Sequence, residues 1–168
     1  MSRRFLPLLL LAFLATGLAS SNLHAQSRLA IYGTGGFQES GLSNQGWIPA
    51  GILGLYAGAS DLGPLAISVD VRGIFSSDAK SVLVGPRLAL HFPAFPLKPY
   101  SEILIGGTSY SRNGASGNFN ASYVGGIDTA ILPHVDWRLF DFTYRLNESG
   151  NGSSDHQKAL TTGFVIRF

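Results

Sequence analysis

His91, His134 and His156 follow the first two dozen residues and are the natural general bases of this chain. An imidazole that activates a hydroxyl must reach it, and a His-x-Ser step on a strand puts both groups on one face. The residues two places beyond these histidines are Pro93, Asp136 and Lys158, so that step is missing. Ser77-Asp78 and Ser154-Asp155 set a serine before a carboxylate. Asp155-His156 sets a carboxylate before an imidazole, and His134-Val135-Asp136 would share a strand face. Serine and aspartate are ordinary turn residues, and these steps read as solvated turn polarity. The chain has no cysteine, which removes thiol and disulfide chemistry. It has no metal-ligand cluster, Walker-type loop or phosphate-binding glycine motif. No catalytic residue, metal site or cofactor is expected.

The charged residues are more telling. Lysine occurs only at Lys80, Lys98 and Lys158. Stretches rich in Ser, Thr, Gly and Ala carry isolated charges instead: Asp70, Arg72, Arg87, Glu102, Asp128, Asp136, Arg138, Asp141, Arg145 and Arg167. Arg3 and Arg4 account for the whole formal charge of +2, and the remainder balances acids against bases. The basic isoelectric point is therefore no argument for a nucleic-acid partner.

The elements that carry these charges read as strands. Eight stretches have strand-like character, at roughly 28–37, 47–58, 65–75, 81–92, 99–110, 119–131, 135–145 and 159–168, with no helical periodicity between them. The clearest has Leu65, Ile67, Val69 and Val71 on one face and Ala66, Ser68, Asp70 and Arg72 on the other. The last alternates to its end, with Leu160, Thr162, Phe164, Ile166 and Phe168 on one face and Thr161, Gly163, Val165 and Arg167 on the other. The Leu139-Phe140 step breaks the alternation and implies a bulge. The stretch at 47–58 is too apolar and glycine-rich for its facing to be fixed. Connections alternate between polar loops (39–46, 76–80, 111–118, 147–157) and proline-containing turns (59–64, 93–98, 132–134). This is the pattern of an up-and-down barrel with loops at one end and turns at the other. The expected fold class is all-β, an eight-stranded antiparallel up-and-down transmembrane β-barrel.

A barrel in lipid fixes where charges go. An arginine facing lipid near the midplane costs about 2–4 kcal/mol, so Asp70, Arg72, Arg87, Glu102, Asp128, Arg138, Asp141 and Arg145 are expected in the lumen. Eight strands leave an interior just wide enough for side chains to fill, and opposite charges packed there must pair. These eight residues are expected to form an ion-pair network that plugs the barrel. Aromatic residues sort toward two rims, Phe37, Trp47, Phe75, Tyr110, Phe119 and Tyr144 at the loop end and Tyr56, Phe92, Phe95, Tyr100, Trp137 and Phe168 at the turn end, as interfacial belts require. The glycines of Gly33-Thr34-Gly35-Gly36, Gly106-Gly107 and Gly125-Gly126 lie inside strands and mark bends and close approaches.

At the amino terminus, Ser2-Arg3-Arg4 precedes an apolar run from Phe5 to Ala19, then Leu23-His24-Ala25. This is the order of a secretory signal peptide, cleaved after Ala25. Residues 1–25 would be removed and 26–168 would form one barrel domain.

The alternating strand at 160–168 resembles the carboxy-terminal strand of bacterial outer-membrane β-barrels. With the run 137–145 (Trp137-Arg138-Leu139-Phe140-Asp141-Phe142-Thr143-Tyr144-Arg145), it makes the chain similar to the small outer-membrane barrels that include OmpA-type membrane domains. The resemblance implies location in the outer membrane of a Gram-negative-type cell, in contact with its lipid and lipopolysaccharide, as a monomer. It implies Phe164, Ile166 and Phe168 as the address read by the barrel assembly machinery, with periplasmic chaperones as partners on the way. It also implies a structural, adhesive or surface-interaction role without catalysis. The chain lacks the His-x-Ser of lipid A deacylases, the His with adjacent Asp-Ser of palmitoyl-transferring barrels and the second carboxylate pair of omptin proteases. The alternatives are a narrow small-solute channel and a secreted lipocalin-like binding barrel. The second would need a polar exterior and the Gly-x-Trp spacing that Gly46-Trp47 lacks.

Overall fold

A computed structural model of the chain describes residues 29–40, 46–91, 96–110, 118–148 and 154–168. The signal-peptide expectation, the cleavage site, Phe92, Phe95 and parts of three polar loops lie outside these residues. Eight strands follow in order: β1 (Leu29–Glu39), β2 (Trp47–Leu62), β3 (Leu65–Ser76), β4 (Ala79–Leu90), β5 (Leu97–Tyr110), β6 (Asn118–Leu132), β7 (Val135–Glu148) and β8 (Ser154–Arg167). Each pairs antiparallel with its neighbour, and β1 pairs with β8, so the sheet closes into a barrel. Closure leaves no strand edge unpaired, the condition for a sheet to sit in lipid.

Alternation assigns the two surfaces. Side chains such as Leu53, Val82 and Ile103 point outward at mid-strand, each more than 60% exposed. Exposed leucines, isoleucines, valines and phenylalanines surround the wall, while Lys80 and Lys158 stand at strand ends. This is the exterior of a membrane-spanning barrel. A soluble binder has the opposite polarity, so the lipocalin-like alternative does not hold. The face of β2 is fixed as well: Ala50, Ile52 and Tyr56 point inward, and Leu53 and Leu55 outward.

Two turns are tighter than the sequence implies. β2 runs on to Leu62 through a register shift between Gly58 and Ser60, leaving Gly63 and Pro64 as the turn. Gly63 has φ 63, the left-handed region that glycine enters without a Cβ clash. At the other end, only Ser77 and Asp78 separate β3 from β4. Asp78 accepts hydrogen bonds from Ser76 Oγ at 2.7 Å and Ser40 Oγ at 2.9 Å, which ties this turn to the end of β1.

The expected bulge in β7 is present. The ladder with β8 shifts between Arg138 and Asp141, and with β6 between Ile127 and Asp128. Leu139 and Phe140 both lie outside the lumen, so Arg138 and Asp141 both face inward.

Candidate functional site

Among the described residues, the lumen is where this chain concentrates its chemistry. Seven of the charged residues singled out in the sequence meet there, and six form a closed ring of alternating sign. Arg72 pairs with Glu102 through Nη2. Arg87 Nε lies 3.2 Å from Glu102 Oε1, and Arg87 Nη2 3.1 Å from Asp128 Oδ2. Arg138 Nε donates to Asp128 Oδ1 at 2.9 Å, and Arg138 Nη1 reaches Asp141 Oδ2 at 3.3 Å. Arg72 Nη1, 3.2 Å from the same Asp141 oxygen, closes the circuit. Asp70 hangs from the ring, 3.2 Å from Arg72 Nε. All seven are buried.

Rings of tyrosine hold the guanidinium groups from their faces. Arg138 lies 4.2 Å from the Tyr32 centroid and 4.5 Å from that of Tyr100. Arg87 lies 4.2 Å from Tyr56 and 4.5 Å from Tyr100, and Arg72 5.5 Å from Tyr32. Desolvated contacts of this kind are worth about 2 kcal/mol each. The hydroxyls add polar anchors. Tyr32 donates to Asp70 at 2.9 Å, and Tyr100 to Asp141 at 2.7 Å. Two glycines make room. A Cβ on Gly54 would run into the Tyr32 ring, and one on Gly126 into the Tyr100 ring.

These tyrosines correct the sequence reading. Tyr56 and Tyr100 are buried in the lumen rather than in a turn-end belt, and Tyr32 joins them. Tyr100 stands two residues before Glu102 on the same strand face, the signal that could have placed it. Phe37, Trp47, Phe75 and Phe119 are exposed near the loop end, and Trp137 and Phe168 near the turn end. Tyr110 falls on the inward-facing register of β5.

Arg145 is a second correction. It is buried but joins no ion pair among the described residues. Its Nη1 donates to Gln157 Oε1 at 3.3 Å. It belongs to an otherwise uncharged layer on the loop side of the ring. There Thr34 and Thr161 pair at 2.9 Å, Ser81 and Thr108 at 2.8 Å, and Asn120 bonds Thr108.

On the turn side the lumen opens into a cavity of about 930 Å³. Asp136, read from the sequence as solvated turn polarity, is instead buried in its wall because two cations compensate it there. Lys98 Nζ binds both Asp136 oxygens, at 2.9 and 2.8 Å, and Arg167 Nη2 lies 3.0 Å from Oδ1. Asp136 thus faces Lys98 and Arg167, and His134 is in the turn beside it. At the far end, His156 is exposed, with Nδ1 3.2 Å from the Tyr144 hydroxyl. Asp155 lies outside the described side chains.

No family model matches the sequence, and no curated protein is similar to it. Solved structures share its fold. Neisserial surface protein A is 19% identical over 84% of this chain and 97% of its own, with a TM-score of 0.54. A de novo designed transmembrane β-barrel is 13% identical, covering 84% of this chain and 95% of the design at 0.53. A major outer membrane protein from Thermus thermophilus is 13% identical, over 84% and 99%, at 0.50. At these identities the likeness is one of fold, that of small outer-membrane barrels.

Proposed function

We propose that this chain is a non-catalytic integral protein of a Gram-negative-type outer membrane, whose lumen is closed to solute flow. Its role is to stabilise the membrane and carry short polar loops to the outer face. The observation that carries the reading is the ring of Arg72, Glu102, Arg87, Asp128, Arg138 and Asp141, buried in the lumen with its charges mutually paired. A conducting pore needs a continuous water path, and here the fixed charges are spent on each other and on tyrosine faces. The same engagement argues against catalysis, because a general base or nucleophile needs a free partner for substrate. The apolar exterior fits lipid and lipopolysaccharide acyl chains as surroundings. The exposed Phe164, Ile166 and Phe168 fit recognition by the assembly machinery before insertion.

The test is electrical. The refolded protein in planar bilayers should give no steady conductance at neutral pH. Stable, ion-selective conductance would overturn the closed-lumen reading and favour a narrow channel.

A further inference from the structure

The turn-side cavity has two unlike halves. The walls from β1, β2 and β3 are mainly apolar, with Leu29, Ala30, Ala66, Ile67 and the Tyr56 ring, and carry one hydroxyl at Ser68. The walls from β4 to β8 carry Arg87, Lys98, Asp128, Asp136 and Arg167. The barrel order runs β1 to β8, so each half is a contiguous arc. The floor is shut by Arg87 stacked on Tyr56. Among the described side chains, the charged arc carries one more cation than anion. Asp128 belongs to the ring below, while Lys98 and Arg167 both converge on the single carboxylate of Asp136. Arg167 Nε is buried and without a hydrogen-bond partner among the described residues.

We propose that this cavity is a binding site for a single-tailed anionic amphiphile, an alkyl chain ending in a carboxylate or phosphate. Three features lead there. The volume falls in the range of about 300–1,000 Å³ typical of small-molecule sites. The surplus cation at Lys98 and Arg167 selects an anionic head, and guanidinium and ammonium both bind such oxygens well. The apolar arc suits a hydrocarbon tail, since burying it there removes it from water. An extended peptide is disfavoured because it needs a free strand edge to satisfy its backbone, and a closed barrel has none. Lys98 and Arg167 are not members of the ring, so the site stands whether or not the lumen conducts.

The experiment is calorimetric titration of the refolded protein in phosphatidylcholine nanodiscs, with empty nanodiscs subtracted. Dodecyl phosphate is the probe; dodecyltrimethylammonium, inorganic phosphate and an acidic peptide are the comparisons. Saturable binding of one dodecyl phosphate per chain is expected, with the three comparisons at least tenfold weaker. Lys98→Met and Arg167→Met should each weaken it about tenfold. Asp136→Asn should tighten it, because both cations are then released to the ligand. Ala66→Trp, which fills the apolar arc and removes no charged residue, should abolish it. Heat-modifiable gel migration checks that each variant is folded. Non-saturable partitioning alone would overturn the proposal. So would equal binding of inorganic phosphate, of the cationic amphiphile or of the peptide, or weaker binding by Asp136→Asn.

Discussion

Arg138 and Asp141 stand three residues apart on β7 and still meet inside the lumen, Arg138 Nη1 lying 3.3 Å from Asp141 Oδ2. On a regular strand, residues three apart face opposite sides. The bulge supplies the extra residue, so both charges enter the ring and neither meets lipid. Deleting Leu139 should restore simple alternation with both charges inside, and the variant should still fold. Deleting Phe142 instead shifts one arm of β7 by a residue and sends its inward side chains outward. That variant should fail to show heat-modifiable migration after refolding. Equal behaviour of the two deletions would contradict this account.

Breaking the ring at one member should cost more than removing a pair. Arg138→Met leaves Asp128 and Asp141 under-compensated and should lower unfolding stability in lipid vesicles by about 3–5 kcal/mol. Adding Asp128→Asn should recover part of that loss, because contacting charges couple. Urea unfolding followed by tryptophan fluorescence gives both values, and strict additivity would argue that the ring is not a unit.

Gly54 and Tyr32 face each other across β1 and β2. Gly54→Ala should destabilise by about 1–3 kcal/mol through overpacking. In a Tyr32→Leu background the same alanine should cost less than half as much. An unchanged cost would place the clash elsewhere.

How much of this was legible follows from what each surface demands. Lipid favours apolar residues at outward positions, so β3 and β8 could be read directly despite Thr162, and the isolated charges had only the lumen to go to. β2 could not be faced because Ile52 inside and Leu53 outside are chemically alike. Tyr56 and Tyr100 misled because tyrosine suits a membrane interface and a buried cation equally well. Arg145 was misassigned because strand parity gives direction but not height. It shares the inward face of Arg138 and Asp141, yet sits in the hydroxyl layer beyond the ring.

Topology is open to a labelling test. Ser77 lies in the β3–β4 turn and His134 in the β6–β7 turn at the opposite end. A membrane-impermeant maleimide should label Ser77→Cys in intact cells and His134→Cys only after the outer membrane is permeabilised. The reverse pattern would invert the barrel.

Phe168 makes little contact with the folded barrel. The residue is 68% exposed, and its backbone N–H donates to Leu29 O at 2.8 Å. Deleting it should change unfolding stability by no more than about 1 kcal/mol, the worth of one hydrogen bond. Steady-state levels in the outer membrane should fall several-fold, as immunoblots of membrane fractions would show. A large stability loss with normal levels would reverse the assignment of this residue to assembly.

The origin of the ring members bears on the order in which the wall can be completed. Asp70 and Arg72 come from β3, Arg87 from β4, Glu102 from β5, Asp128 from β6, and Arg138 and Asp141 from β7. None comes from β1, β2 or β8. An open sheet of β3 to β7 therefore already holds every charged member of the ring, with β1 and β2 adding only the tyrosine faces and the Tyr32 hydroxyl. The seam between β1 and β8 brings inward Ala30, Tyr32, Thr34, Thr161 and Val165, with Arg167 only at the mouth. Closing it demands almost no dehydration of naked charge. The β1–β8 seam is thereby lined by uncharged residues below its mouth, and closing it strands no member of the ring without an opposite charge.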